Sequence, residues 1–525
     1  MIIREDNFII AIDIGTTTIR SVLFNGELKI VQEATLSLPV TKLTSVNEDG
    51  EALVEIDPKT LYGQFLEVVL HAYSKVPKDA KVRIVFCNQR NSLVFWNKET
   101  KEEVSNIICW NDRRAAKAVE AANSSLAMKL INISGGVLHA LTRKPKFAAA
   151  KRYAVQNGMI IHRLTVTLSK NDAVKRLHQA GDVAFGCLET WLLMKMGRDN
   201  PILAESSCIS VSGVYDPFAN QYNNLLVKLF GVPPTLLPVI VDSSLSSIKK
   251  KLVLDKKFLG RKLQITAVLA DQQAAMFGCG QWDEGAVKIT LGTGTFVNIH
   301  TGKTPKTSMS GLYPVVGWCL NGVNDYLLEG CAHDTVLILK WAQSFGLFTD
   351  VTTTSAIAFA VKHSNGLLFI PGFCGIQAPI NNDGACAGFL GLKPDTTVEH
   401  MLCAVLQAIG FRVYQIYLAA AKDVTISSKL PVRICGGVSN NDFICQIIAD
   451  LLDRNVERLE NSDHVSARGV AMLSSLANGE YTKDELAKLV IVDEVFQPNQ
   501  ERRTALLETF ENWSKAMNRS LSFYD

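Results

Sequence analysis

Asp271 stands where an apolar run, Val268-Leu269-Ala270, gives way to Gln272-Gln273-Ala274-Ala275. A carboxylate at a strand end is ordinarily a helix cap. Its chemical alternative is a general base that takes the proton of an alcohol as the oxygen attacks. A second carboxylate, Asp13, closes another apolar run and opens the turn Gly15-Thr16-Thr17-Thr18. Turns rich in Gly and Thr gather backbone N–H groups and hydroxyls in a small volume, where phosphate oxygens can be held. A similar turn recurs as Gly292-Thr293-Gly294-Thr295. Either one alone reads as a tight hairpin. Both together, at matching places in two halves, point to a nucleotide, and Asp13 then offers the hard oxygens that suit Mg2+ bound through water.

A third glycine signal is Ile434-Cys435-Gly436-Gly437-Val438-Ser439-Asn440-Asn441, where an apolar strand stops and a helix begins. Gly436 and Gly437 leave room for a flat base or ribose, while Asn441 suits an N-cap equally well. Arg90, just past the apolar run 82–86, is either a solvated charge or a rigid fork for two adjacent hydroxyls. Trp110 is a core aromatic or an apolar wall for a carbon chain, and Asp112, Arg113 and Arg114 read as a cap with ion pairs. Phosphoryl transfer asks mainly for positioning and charge neutralisation, so one aimed carboxylate and a magnesium site suffice. The chain has neither a Gly-x-x-x-x-Gly-Lys-Ser/Thr loop nor Gly-x-Gly-x-x-Gly after a strand, which removes P-loop and Rossmann readings. A hydrolase lacks its Gly-x-Ser-x-Gly elbow, and His333-Asp334 reads as a capped helix start.

These residues need elements to position them. With 525 residues the chain exceeds one hydrophobic core, so two domains are expected. Apolar residues at 47% and charged residues at 20% describe a folded protein rather than a disordered one. A net charge of +3 calls for neither nucleic acid nor membrane. The first apolar run is cut by Asp13 before it can form a signal core, and no stretch of about 18 uninterrupted apolar residues follows. The expected location is the cytoplasm. The 12 cysteines are too scattered for a zinc knuckle, Cys435 and Cys445 being the closest pair in sequence. They read as buried small hydrophobes in a reducing compartment.

Short β-rich runs at 8–12, 21–24 and 82–86 alternate with a helical run at 61–73, the signature of an α/β layered domain. Residues 100–153 turn helical, as a lobe. The hairpin around the first turn is echoed by the hairpin around the second, which implies a duplicated fold. The expected units are 1–280, 281–480 and a helical tail over 481–525.

The ordered set Asp13-Ile14-Gly15-Thr16-Thr17-Thr18-Ile19-Arg20, Asn88-Gln89-Arg90, Phe95-Trp96-Asn97-Lys98-Glu99-Thr100, Trp110-Asn111-Asp112-Arg113-Arg114, Ala270-Asp271-Gln272-Gln273-Ala274, Gly292-Thr293-Gly294-Thr295-Phe296 and Gly436-Gly437 resembles the FGGY carbohydrate kinase family, and within it the glycerol kinases. The resemblance implies two actin-like (ribonuclease H-like) ATPase domains around a nucleotide cleft. ATP and Mg2+ would be the cofactors and glycerol the favoured polyol, with no nucleic-acid partner. Homo-oligomers are common in the family. By family role, Gly15, Thr16, Thr17, Thr18 and Arg20 form the first phosphate site and Gly292, Thr293 and Gly294 the second. Gly436, Gly437 and Asn441 take the nucleoside, and Arg90, Asn91, Trp110, Asp271 and Gln272 take the polyol. Asp271 is the implied base and Asp13 the metal residue.

The chain departs from the glycerol kinase pattern at four places. Asn91 replaces a Glu, Leu141 falls where a substrate-contacting Tyr belongs, Val336 replaces a Gly and Lys340 a Gln. A kinase for another polyol or ketose therefore stays open, as does a weakly catalytic nucleotide-binding regulator.

Overall fold

A computed structural model describes residues 7–39, 52–197, 201–248, 252–254, 260, 262–361 and 363–524. The first six residues, which precede the run excluded as a signal core, lie outside this set, as does Asp525 at the end of the tail.

Two sheets repeat one topology. The first has the order Val253–Leu254, Leu263–Ala270, Lys81–Asn88, Asn7–Ile14, Thr18–Phe24, Ile30–Ser37. Asn7–Ile14 pairs antiparallel with Thr18–Phe24 and parallel with Lys81–Asn88, which in turn pairs parallel with Leu263–Ala270. The second has the order Tyr313–Leu320, Val323–Ala332, Thr295–His300, Val287–Leu291, Val432–Cys435, Val456–Leu459, Val492–Phe496. Val287–Leu291 again pairs antiparallel with the strand after its turn and parallel with Val432–Cys435. The duplication expected from the two hairpins thus extends to five strands in each half. Central strands such as Val287–Leu291 are buried along their whole length, as parallel strands covered on both faces must be.

Local signals set the helices around the first sheet. Pro58–Tyr73 starts at Asp57, whose carboxylate accepts from the Thr60 N–H at 2.9 Å, with Pro58 in the first turn. Leu61, Phe65, Val68, Val69 and Ala72 fall on its buried face, the spacing of an amphipathic helix. In the second half the 26-residue helix Val398–Asp423 runs through the core, opened by a capping box between Thr397 and His400. It is long and apolar enough to cross a membrane, but 78% of its most apolar stretch is buried inside the protein.

The residues read as a tail are woven into the second half. Val492–Phe496 forms the edge strand of its sheet. Helix Gln500–Ser520 buries Leu506, Trp513, Ala516 and Met517 in the same core, and the Trp513 indole donates to the Phe369 carbonyl at 2.8 Å. The lobe is helical over Ala116–Ser124, Leu126–Thr142 and Pro145–Arg152. Beside it, Glu55–Ile56, Leu93–Asn97, Ile107–Ile108 and Val183–Cys187 form a four-stranded sheet that periodicity did not reveal.

The halves meet at a helix crossing. Asp271–Gly278 follows the last parallel strand of the first sheet, and Val465–Ala477 comes from the second half. Gly469 and Gly278 face each other at the crossing: a Cβ on Gly469 would lie 1.8 Å from the Ala274 carbonyl oxygen, and one on Gly278 would lie 2.1 Å from the Val465 oxygen. Gly469→Ala is expected to destabilise the protein by at least about 3 kcal/mol through overpacking against backbone. Gly63→Ala, in an exposed turn of Pro58–Tyr73 with nothing within 4 Å, is expected to be neutral or to stabilise by up to about 1 kcal/mol. Thermal melting of the two variants side by side checks the contrast; equal melting temperatures would show that the crossing tolerates a methyl group.

Candidate active site

Parallel pairing places the carboxyl ends of Asn7–Ile14, Lys81–Asn88 and Leu263–Ala270 side by side, with Asp13 opposite Cys87 and Ala270 opposite Asn88 in register. Asp13, Arg90 and Asp271 therefore converge at one sheet edge, the position where ligands bind in open α/β sheets. Asp271 is the first residue of its helix, and the preceding Ala270 makes no side-chain cap. Its Oδ1 accepts from the Gln272 N–H at 2.7 Å and lies 4.0 Å from Arg90 Nε. Burial holds Asp271 above the usual carboxylate range, opposed by the Arg90 guanidinium. Asp13 is pushed up to about 6, first by burial and then by the negative charge of Asp271. The Cys87 thiol donates to it at 3.5 Å.

The second half supplies the rest of the charge. Arg90 grips Glu329 with both terminal nitrogens, Nη2 to Oε1 at 2.6 Å and Nη1 to Oε2 at 3.2 Å. Glu329 also accepts from Tyr313 Oη at 2.9 Å and Asn298 Nδ2 at 2.7 Å. Although fully buried, it stays below the usual carboxylate range because the Arg90 charge and these donors outweigh desolvation. The ring of Phe296 lies under the guanidinium, 5.6 Å from centroid to Cζ. Gln272 gives its Oε1 to the buried Lys288 ammonium at 2.9 Å, and the same ammonium reaches Thr290 Oγ1 at 2.7 Å.

The two glycine turns are joined by side chains. Trp110 Nε1 donates to Thr16 Oγ1 at 2.9 Å, and its ring meets His333 edge-on at 5.2 Å. Two residues beyond, Thr335 Oγ1 contacts Thr295 Oγ1 at 2.7 Å, and the Val336 N–H donates to the Thr293 carbonyl at 3.2 Å. Gly436, at φ +94, has its bend pressed against the second turn, where a Cβ would lie 2.5 Å from the Leu291 oxygen. Gly15, Gly292 and Gly437 differ: a Cβ there would meet its nearest atoms at 3.4, 3.7 and 3.8 Å. Internal packing demands glycine at 436 but would admit a methyl group at these three, where Gly15 and Gly292 are half-buried and Gly437 is exposed.

Several expected site residues are engaged within the protein. Asn441 caps helix Asp442–Leu452 through Oδ1, and its Nδ2 donates to Thr354 Oγ1 at 2.9 Å. Arg20 ties Thr35 Oγ1, at 3.1 Å, to the Asp463 carbonyl. Asn91, at φ 61, donates to the Val211 carbonyl at 3.1 Å, while its buried Oδ1 lacks a partner. Leu141 is exposed on the helix Leu126–Thr142, and Lys340 is exposed on Thr335–Ser344. Asp334 precedes that helix without capping it; its Oδ2 instead accepts from the Cys374 N–H at 3.3 Å. Asp112 and Arg114 form the expected pair at 2.7 Å, with Arg114 also reaching Glu55.

Glu329 and Lys288 escaped the sequence reading. Each is the one charge within a largely apolar five-residue run, Leu327-Leu328-Glu329-Gly330-Cys331 and Val287-Lys288-Ile289-Thr290-Leu291. Such charges are almost never fully buried unless paired, and that signal could have found them. Cys279 and Cys435, remote in sequence, also come together in one small core cluster. All twelve cysteines are free, and all but Cys374 and Cys386 are buried. Among the described residues no group of three or more His, Cys, Asp or Glu side chains could hold a metal ion.

Burial of Asp13, reinforced by repulsion from Asp271, has a stability effect of measurable sign. The folded protein holds the Asp13 proton more tightly than the unfolded chain does, so this contribution to stability is full below the ordinary carboxylate range and is lost as pH rises through about 6. Asp13→Asn, which cannot ionise, is expected to raise the stability of the ligand-free protein at neutral pH by about 1–2 kcal/mol. Melting curves at neutral and acid pH test this, the gain shrinking in acid; a variant less stable than wild type at neutral pH refutes this effect of burial and repulsion.

The FGGY carbohydrate kinase family models match both halves of the chain, the N-terminal domain over residues 8–278 and the C-terminal domain over residues 287–477. Among curated relatives, glycerol kinase 5 of Danio rerio is 35% identical over 99% of this chain and 98% of its own length, and that of Homo sapiens is 34% identical over 99% and 97%. Glycerol kinase of Bacillus velezensis is 29% identical over 99% of this chain and all of its own. The crystal structure of Plasmodium falciparum glycerol kinase with ADP superposes with a TM-score of 0.82 at 23% identity, covering 98% of each chain. Xylulose kinase of Lactobacillus acidophilus gives 0.79 at 20%, again over 98% of each.

Proposed function

The chain belongs to the FGGY family of carbohydrate kinases, and on that premise we propose that it transfers the γ-phosphoryl group of ATP to a primary hydroxyl of glycerol, giving sn-glycerol 3-phosphate and ADP. The observation that carries this reading is the convergence of Asp13, Asp271 and Arg90 at the carboxyl ends of three parallel strands, beside glycine turns with room for a methyl group at Gly15, Gly292 and Gly437.

Asp271 acts as the base. Lifted by its partly desolvated setting, it accepts the proton of the attacking hydroxyl, while the Gln272 N–H at 2.7 Å orients its second oxygen toward the substrate. Arg90, Trp110, Gln272 and Asn91 surround the polyol. The unpartnered buried Oδ1 of Asn91 suits a hydroxyl donor, because a buried acceptor without a partner is costly. The turn 15–18 and residues 292–294 cradle phosphates, and Gly436 and Gly437 flank the nucleoside. Arg20 and Asn441 support that site by bracing the loops around it. Asp13 would hold Mg2+, which would supply charge neutralisation to the triphosphate, and ATP supplies the phosphoryl group. Closure of the cleft excludes water from the transfer.

A second reading, a kinase for another polyol or a ketose, is favoured by one feature. Asn91 brings no charge to a position where the glycerol kinases carry Glu, and each hydrogen bond lost to a polar partner costs about 1–3 kcal/mol. A panel of glycerol, longer polyols and ketoses, assayed for ADP release, separates the readings: glycerol is expected to give the highest kcat/KM, and preference for a longer acceptor selects the second.

Asp271→Asn is expected to keep the fold and ATP affinity while lowering kcat by about 10²–10⁴-fold. Near-normal turnover of this variant would remove Asp271 from its role. Tight ATP binding by the wild type, with no turnover on any acceptor, would instead select a nucleotide-binding regulator.

A further inference from the structure

Helix Leu126–Thr142 is amphipathic in the wrong sense for a globular protein. Its inward face buries Met128 in the core beneath, and toward the next helix, Pro145–Arg152, it packs through small and polar residues: a Cβ on Gly135 would meet the Lys151 nitrogen at 2.7 Å, and Asn132 donates to the Ala150 and Tyr153 carbonyls. Its outward face carries Leu126, Leu130, Ile133, Val137 and Leu141, exposed by 78, 65, 64, 54 and 76%. Their spacing puts all five on one meridian, a ridge about 22 Å long at 1.5 Å per residue.

Charge borders this ridge with one sign only. Neither Asp nor Glu occurs between Glu120 and Asp172. Lys129, Arg143, Lys144, Lys146, Lys151 and Arg152 are all exposed on the helix, its C-terminal end and the following helix. Lys146 lies over the Phe147 ring at 5.0 Å. The Thr307 hydroxyl donates to the Pro145 carbonyl, so Lys306 extends the positive field from the second half. Leu126–Thr142 and Val398–Asp423 are both apolar, but only the latter is long enough to span a membrane, and it is buried.

We propose that the outer face of helix Leu126–Thr142, with its cationic border, docks the protein on an anionic lipid bilayer. The helix would lie in the interface plane with its leucines among the acyl chains. The backbone N–H and C=O groups of its central turns are already paired within the helix, so they can enter that region without losing hydrogen bonds, while its ends stay at the headgroups. Long Lys and Arg stems let the charges reach the headgroups while the ridge sinks, and surface anions attract each cation. A second copy of this chain fits worse, since two such faces would press like charges together.

The full-length protein is sedimented with phosphatidylcholine vesicles and with vesicles that also contain phosphatidylserine. Binding is expected on the mixed vesicles, weakened by added salt. Leu130→Gln with Val137→Gln is expected to weaken it by at least about tenfold, and Lys146→Glu or Arg152→Glu by at least about fivefold each. Kinase activity without vesicles should be unchanged in every variant, which excludes misfolding. Failure of the wild type to bind the mixed vesicles, or equal binding by the double Gln variant, overturns the proposal. So does a fall in molecular mass of the double Gln variant by analytical ultracentrifugation with vesicle binding intact, which would assign the ridge to a contact between copies. Displacement of the protein by polyglutamate with undiminished affinity for the double Gln variant would assign the cations to an acidic protein, again against the lipid.

Discussion

Two helices whose backbones touch hold this molecule in register. Where Asp271–Gly278 crosses Val465–Ala477, Gly278 and Gly469 let carbonyl oxygens of one helix rest against the Cα of the other. Contact that close is rigid, because interiors pack at crystal-like density and adjust little. One helix begins with Asp271; the other comes from the second half and lies against the first sheet. Ile9, Val22, Val85 and Leu269 consequently share a core with Trp318, Leu327, Ala467 and Val470. The proposed base is thereby mounted on the seam itself rather than on a loop at its margin.

Charge at that seam is arranged as a chain of partners. Arg90 of the first half is held by Glu329 of the second, which Tyr313 and Asn298 steady, while Lys288 of the second half grips Gln272 of the first. Breaking a buried pair by removing one member is costly, since the other charge is left unpaired. These links therefore tie the halves together electrostatically as the helix crossing ties them sterically. Asp13 and Asp271 are the exception. Burial, and for Asp13 the charge of Asp271 as well, holds both carboxyls up against the pull of Arg20 and Arg90. That imbalance costs stability in the ligand-free protein and becomes useful on binding, the common pattern of strain kept at functional sites.

The lobe formed by Leu126–Thr142 and Pro145–Arg152 obeys a different logic. Elsewhere apolar residues are drawn inward, as in Pro58–Tyr73; here the helix buries Met128 and Gly135 but leaves Leu126, Leu130, Ile133, Val137 and Leu141 outside. A globular protein gains nothing from that arrangement in water. The Thr307 contact to Pro145 links the lobe to the second half, so whatever covers the ridge sits on an element that touches both halves.

Much of the architecture was legible in the chain because it depends on local patterns. Alternating runs of β-rich and helical residues marked α/β layers, and two Gly-Thr turns at equivalent places marked a repeated hairpin. Asp13 and Asp271 stood out as candidates because each ends an apolar run, where a charged residue has no packing role. Tertiary structure alone decided what happens across distance. Asn441 and Arg20 resembled ligand residues by position, yet their hydrogen bonds close within the protein. Glu329 and Lys288 became legible only when a partner from the other half explained their burial, and the terminal residues proved to be a strand and helix of the second core rather than an appendage. The physical reason is separation: a cap, a turn or a strand end is set by neighbours within a few residues, whereas pairing a buried charge, or seating a glycine against a carbonyl, depends on atoms hundreds of residues away.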